Sequence, residues 1–186
     1  LGVVVLLLPR GVPARWLGAF LLLPLLWSPS SAPPEGAVEA IVLDVGQGLA
    51  VLVRTRDHAL VYDAGARYPS GFDLGEAAVV PAVHALGFGR IDRLVVSHGD
   101  NDHAGGAAAA ALALKPARID SGEPERLRLP SRPCGEERWH WNGVDFHLFR
   151  ALHPMSGNDR SCVLVVDAGN ARLLLPGDIS AAVEGE

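Results

Sequence analysis

The chain has 186 residues, 49% of them hydrophobic and 20% charged, which suffices for one domain with a sizeable core and excludes a disordered or fibrous chain. Its net charge is −5, and Arg10 and Arg15 are the only charges in residues 1–27, so the remainder carries −7 and bulk attraction to nucleic acid is excluded as a driving force. Two cysteines, Cys134 and Cys162, exclude a disulfide scaffold and a cysteine-rich zinc finger.

The excess hydropathy lies at the front. Leu1 to Leu8 is unbroken apolar sequence, Pro9 to Pro13 reads as a turn, and Trp16 to Trp27 is apolar with Pro24 inside. Twelve helical residues rise only about 18 Å, short of a hydrocarbon core of about 30 Å. Residues 1–27 are read as the last hairpin of a polytopic membrane protein, with a signal peptide ending near Ser30-Ser31-Ala32 as the alternative. Positive residues favour cytoplasmic loops, so the turn at 9–15 is expected inside and the domain outside the cytoplasm. Residues 28–36 form a linker and 37–186 the domain. The single methionine is Met155, which leads us to expect a fragment or a processed product.

The remaining elements follow in chain order. Ala37 to Asp44 and Ala50 to Arg54 read as strands around Gly46-Gln47-Gly48, and Ala59 to Tyr62 as a third, ending in Asp63-Ala64-Gly65. Leu74 to Leu86 has helical spacing, stopped by Gly87 and Gly89. Arg93 to Ser97 is a short buried strand and Ala104 to Leu114 an alanine-rich helix. Residues 117–136 read as loop with one short strand, and Arg118, Arg126, Arg128, Arg132 and Arg138, interleaved with acids, as a solvated mixed face, with a DNA-contacting stripe as the alternative. Asn142-Gly143 between β-rich runs predicts a hairpin over Trp139 to Phe149. Cys162 to Asp167 and Arg172 to Leu175 are two more strands. Runs of strands with helices between blocks predict layered sheets with outer helices.

The chemistry concentrates in His98-Gly99-Asp100-Asn101-Asp102-His103, at the C-terminal end of a strand. Two imidazoles and two carboxylates within six residues suit zinc, manganese or iron. Gly105-Gly106 allows close backbone approach behind them, and a helix start there favours an anion. The plainer reading, Asp and Asn capping a helix, needs one such residue rather than four.

This motif, with Gly-Gly behind it, resembles the signature of the metallo-β-lactamase superfamily. Asp at its second position, Asp-Val-Gly-Gln-Gly at 44–48, Tyr62-Asp63-Ala64-Gly65 and Pro176-Gly177-Asp178 resemble one branch, the ComEC/Rec2 competence proteins, over about residues 38–179. These are polytopic DNA-uptake channels of the bacterial inner membrane. The resemblance implies an αββα sandwich, incomplete at its C-terminus and preceded by membrane segments. It implies two divalent ions, zinc or manganese: His98 and Asp100 on one, Asp102 and His103 on the other, Asp178 bridging, and Asp63 orienting the ligand loop. Two ions lower the pKa of a shared water and hold a phosphodiester in line, with Asp102 as the catalytic proton acceptor.

The implied function is a membrane-tethered, metal-dependent phosphodiesterase acting on single-stranded DNA with the competence machinery. The alternatives are a small-molecule hydrolase of the same fold, or a non-catalytic domain that binds DNA or the channel. The sequence also departs from the pattern. The superfamily's third histidine is missing; Asn158 is the natural substitute and His153 a second candidate. Leu49 stands where the branch has an acid, and the final superfamily histidine would lie beyond residue 186. Cys134 and Cys162 are candidates for pairing outside the cytoplasm, with simple core packing of Cys162 as the alternative.

Overall fold

The computed structural model describes residues 2–9, 11–23, 32–151 and 157–184, in two compact units, Leu1–Ser31 and Ala32–Glu186. The first unit holds a short helix α1 (Gly2–Leu6) and a 3-10 helix (Arg15–Leu22). A Cβ on Gly18 would meet the Gly2 carbonyl at 2.7 Å, and one on Gly2 would meet the Gly18 carbonyl at 2.8 Å, so the two segments pack backbone to backbone. Among the described residues no helix is long and apolar enough to cross a membrane. Pro24, Trp27 and the start of the expected linker lie outside the described residues.

The second unit is built on two sheets. The six-stranded sheet runs in chain order: β1 (Glu39–Val42), β2 (Val51–Arg54), β3 (Ala59–Tyr62), β4 (Arg93–Val96), β5 (Arg118–Ser121) and β6 (Arg132–Pro133). Its first three strands are antiparallel, and β3 through β6 pair in parallel. The four-stranded antiparallel sheet has the order β10 (Arg172–Leu175), β9 (Cys162–Asp167), β8 (Val144–Arg150), β7 (Glu137–Trp141).

Strand periodicity sorts the core into two layers. Leu52, Val61, Leu94 and Val96 face the helix side, where Val79, Val83, Ala107, Ala110 and Leu114 cover them. Val51, Val53, Leu60, Tyr62 and Val95 face the second sheet, against Phe146, Leu148, Leu164 and Val166. All of these are essentially inaccessible, and each such aliphatic or aromatic side chain contributes about 1.5–3 kcal/mol on burial. Residues buried on both faces explain why β2, β3 and β4 read as continuous apolar runs. The layers are helix, sheet, sheet. Beyond β6 the only helical element among the described residues is a 3-10 turn (Asn158–Arg160), so the expected second helical layer is not seen on the far face of the four-stranded sheet.

Several expectations are refined. The helix over 74–86 is a π-helical turn (Gly75–Val79) running into α2 (Val80–Ala85). Here the Gly75 and Gly106 backbones touch, leaving no room for a side chain on either. The alanine-rich helix starts earlier and is broken, as α3 (Asn101–Ala104) and α4 (Ala107–Leu114) with Gly105-Gly106 between them. The expected hairpin forms: Asn142 and Gly143 both have positive φ, 47° and 81°, as a type I′ turn requires.

The reading of 117–136 as loop with one strand is corrected, because β5 and β6 both join the sheet through distant partners. Of the arginines there, Arg126, Arg128, Arg132 and Arg138 are exposed, as expected of a solvated mixed face, while Arg118 is half-buried. Arg93 is buried, donates to Asp120 at 2.6 Å and Glu137 at 2.8 Å, and lies 4.0 Å over the Trp139 ring. Arg118 completes this network with bonds to Asp120 and Glu137. Cys134 and Cys162 are joined in a disulfide, Cα atoms 5.9 Å apart, that ties the segment before β7 to the start of β9.

Candidate metal centre

Three strand ends meet here. β3 delivers Asp63, whose amide continues the parallel ladder to the Val95 carbonyl at 2.8 Å. β4 delivers Ser97 and His98, and the turn beyond it opens α3 with Asp100, Asp102 and His103. β10 leads through Pro176-Gly177 to Asp178. Ser161, just before β9, lies beneath them, and the Cys162 amide bonds the Ser97 carbonyl at 2.9 Å. A Cβ on Gly177 would meet the Ser97 and Ser161 side chains at 2.8 Å, and Gly177 has φ of +63°, so this turn is closed to other residues.

Asp63 organises the buried layer. It is inaccessible and left-handed, with φ of 59°. One oxygen accepts the Ser97 amide at 2.6 Å; the other accepts the Ser97 hydroxyl at 2.7 Å and faces His103 Nδ1 at 2.8 Å. A carboxylate only accepts, so His103 Nδ1 carries the proton and its Nε2 presents a lone pair. Ser97 has one proton and gives it to Asp63. Its oxygen therefore accepts from His98 Nδ1 at 3.0 Å, which leaves the lone pair of His98 on Nε2 as well. Burial disfavours the charged form of His103, but the bond and charge of Asp63, with Asp178 and Asp102, outweigh it and raise the pKa above the usual histidine value.

Both Nε2 atoms point to one place. His98 is fully buried, and its Nε2 has no hydrogen-bond partner among the described residues. His98, His103 and Asp178 offer ligand atoms all within 4.8 Å of one another. His103 Nε2 and Asp178 Oδ1 are 3.4 Å apart; two ligands bound at about 2.1 Å around a tetrahedral ion are separated by about that distance. Two imidazoles, one with an orphaned buried nitrogen, and a carboxylate fit a zinc-like divalent cation.

Asp100 and Asp102 flank this cluster. Asp100 Oδ2 is 3.5 Å from His98 Nε2, and Asp102 Oδ2 is 4.0 Å from His103 Nε2. Asp100 occupies the position before α3 without capping it. Its Oδ1 instead accepts from Arg126 at 2.7 Å, a bond that holds its carboxyl below the usual range despite some desolvation. Arg126 also binds Glu123, which accepts the Gly99 amide at 2.9 Å. Asn158 opens the 3-10 turn, and its side chain makes no hydrogen bond among the described residues. His153 lies outside them.

Sequence reasoning missed four contributors: Ser97, Ser161, Glu123 and Arg126. Ser97 was detectable as a polar residue ending a buried strand; Arg126 reaches the site only through the fold. Leu49 has a different role from that of an acid. Its amide donates to the Asp102 carbonyl at 3.2 Å, while its side chain packs against the core between the sheets. Gly48, with φ of +113°, sits against the same carbonyl, where a side chain would overlap it.

Residues 43–186 match the metallo-beta-lactamase superfamily. The chain belongs to that superfamily. Among solved structures it is similar to a class B3 di-zinc metallo-beta-lactamase from an Alaskan soil metagenome, with a TM-score of 0.54 and 12% identity over 80% of this chain and 64% of that one. It is also similar to a metallo-beta-lactamase of Cronobacter sakazakii, with a TM-score of 0.51 and 23% identity over 77% of this chain and 62% of that one. These likenesses concern the fold.

Among curated proteins the chain is 39% identical over 181 residues to competence protein ComA of Neisseria gonorrhoeae, covering 96% of this chain and 25% of that protein. It is 35% identical over 150 residues to recombination protein 2 of Haemophilus influenzae, covering 76% of this chain and 18% of that protein. It is 27% identical to ComE operon protein 3 of Bacillus subtilis, covering 82% of this chain and 23% of that protein. The chain is thus similar to ComEC-type metallo-beta-lactamase domains, and spans a quarter or less of the length of these relatives.

Proposed function

We propose that this domain is a metal-dependent phosphodiesterase acting on single-stranded DNA, held at the outer face of the bacterial inner membrane as part of a DNA-uptake system. The observation that carries it is the unpartnered, buried Nε2 of His98, converging with His103 Nε2 and the Asp178 carboxylate. Similarity to competence proteins supports the substrate class and the setting, and the apolar residues around Arg10 and Arg15 support the membrane tether.

His98 with Asp100 would hold one divalent ion, zinc or manganese, and Asp102 with His103 a second, with Asp178 shared between them. Such ions polarise a phosphoryl oxygen and make water a nucleophile near neutral pH. The chain's own work is positional. Asp63 and Ser97 fix both imidazoles with Nε2 unprotonated. Arg126 holds one Asp100 oxygen, so that the other faces His98. Asp102, about one-third exposed at the side chain, is the proton acceptor on the open side.

The test is incubation of the chain with circular single-stranded DNA and added manganese or zinc. The expected result is slow, sequence-independent cleavage, abolished by Asp102→Ala. A metal-loaded chain that leaves DNA intact but turns over a lactone or thioester would overturn the reading.

A further inference from the structure

Beside the metal loop lies a cleft of about 730 Å³, whose lining includes Gly99 and Asn101 of that loop and Arg67, Tyr68 and Gly71 of the neighbouring one. Its lining contains three arginines, Arg67, Arg126 and Arg128, and no acidic residue. This is unusual on a chain with net charge −5. Arg126 is engaged by Asp100 and Glu123, and Arg67 lies 4.0 Å from Asp73. Arg128 is exposed and has no ion pair among the described residues.

Tyr68 lines the cleft, and Phe72, in the same loop, packs beside it. Tyr68 and Phe72 are 43% and 54% exposed, and within the second unit no other Phe, Tyr or Trp is exposed to this degree among the described residues. Their ring centres are 5.9 Å apart, with planes at 37°. The loop that carries them is closed by backbone hydrogen bonds. The Tyr68 amide bonds the Phe72 carbonyl at 2.8 Å, the Gly71 amide bonds the Tyr68 carbonyl at 2.9 Å, and Arg67 bridges Asp73 as in a strand. It is also fastened to the metal loop, because the Arg67 amide donates to Asn101 Oδ1 at 3.4 Å.

We infer that this cleft is a binding track for single-stranded DNA, in which Tyr68 and Phe72 stack on bases and Arg128 with Arg67 meets the phosphates, leading the strand to the His98–His103 loop. The inference rests on the phosphodiesterase reading and adds where the strand lies. Arg128, a cation with no ion pair among the described residues, beside the long contact of Arg67 with Asp73, favours a phosphate, and a strand supplies phosphates at a regular spacing. Exposed rings select unpaired bases, since duplex bases stack on each other and present only their edges.

The experiment is anisotropy of a fluorescein-labelled oligothymidylate titrated with the 186-residue chain, with chelator and again with added zinc. Tyr68→Ala and Phe72→Ala are each expected to weaken binding about fivefold or more, and Tyr68→Phe to stay within about twofold of the parent. Arg128→Gln should lower the slope of log affinity against log salt by about 0.7, one phosphate contact on a single strand. Binding of a duplex of the same length should be insensitive to Tyr68→Ala. If the parent binds oligothymidylate and the folded alanine variants bind equally well, the track is wrong and the phosphodiesterase reading stands. If the parent binds no oligothymidylate under either condition, both fail.

Discussion

Asp63→Asn tests the reasoning about the buried layer most directly. Asparagine has almost the shape of aspartate and tolerates a φ of 59°. The Ser97 amide can only donate, so the asparagine oxygen must stay on it, where the distance is 2.6 Å. The new amino group then faces the Ser97 hydroxyl and His103 Nδ1, at positions where a proton was accepted. His103 is driven to the tautomer with its proton on Nε2, and Ser97, no longer donating to Asp63, is free to donate to His98 Nδ1 with the same result. Both ligand lone pairs are thus turned away from the metal by one change of atom. Restoring one of them leaves buried donors facing each other unsatisfied, at about 1–3 kcal/mol, or about 5- to 150-fold in affinity. Calorimetric titration with zinc against a competing chelator measures this, and urea unfolding checks that the variant is folded. A folded Asp63→Asn variant that binds zinc within about twofold of the parent refutes the tautomer argument, since loss of such a partner ordinarily costs 10- to 100-fold.

Two further perturbations probe the scaffold. The Cys134–Cys162 bridge spans 28 residues, for which the chain-entropy account gives about 3.6 kcal/mol. Cys134→Ala with Cys162→Ala should lower the thermal midpoint by about 7–14 °C, and a wild-type midpoint unmoved by dithiothreitol would contradict it. At Glu137, burial opposes the charge, but bonding and attraction from Arg93 and Arg118 prevail and lower its pKa. A depressed carboxylate contributes stability that is present above its unfolded pKa and lost as pH falls through the folded value. The stability gap between wild type and Glu137→Gln should therefore be constant above about pH 5.5 and shrink in acid; a gap that widens on acidification, followed by urea unfolding, would show that the Arg93 network does not hold Glu137 charged.

How much of this was legible in the sequence varies with the range of the interaction. Strands buried on both faces announced themselves, because Val51 to Val53 and Leu60 to Val61 are apolar without interruption. The Asn142-Gly143 hairpin did so as well, since its turn is specified by two adjacent residues. The stretch holding β5 and β6 yielded only one short strand, because Arg118-Ile119-Asp120-Ser121 has polar residues where a strand pattern would be apolar. Those polar residues are satisfied by Arg93 and Glu137, which approach from other strands. The local ligand run at 98–103 was visible for its density of imidazole and carboxylate. Its orientation was not, because it is set by Ser97, Asp63 and Ser161, which come from three separate strand ends.

That difference bears on how the chain makes one site from separate segments. Asp63 could not grip both the Ser97 amide and His103 from an ordinary extended backbone continuing β3. Its left-handed conformation turns the chain at the point where parallel β4 ends beside it. A non-glycine residue held there costs about 1–3 kcal/mol. The three acceptor contacts on its carboxylate, each between 2.6 and 2.8 Å, offset that cost, since bonds to a buried charge contribute about 1.5–3 kcal/mol apiece. The same bonds that hold the turn also set the protons on both histidines. Folding of the strand ends and preparation of the metal ligands are therefore one event, and a substitution at Asp63 or Ser97 that keeps the fold must still change the site.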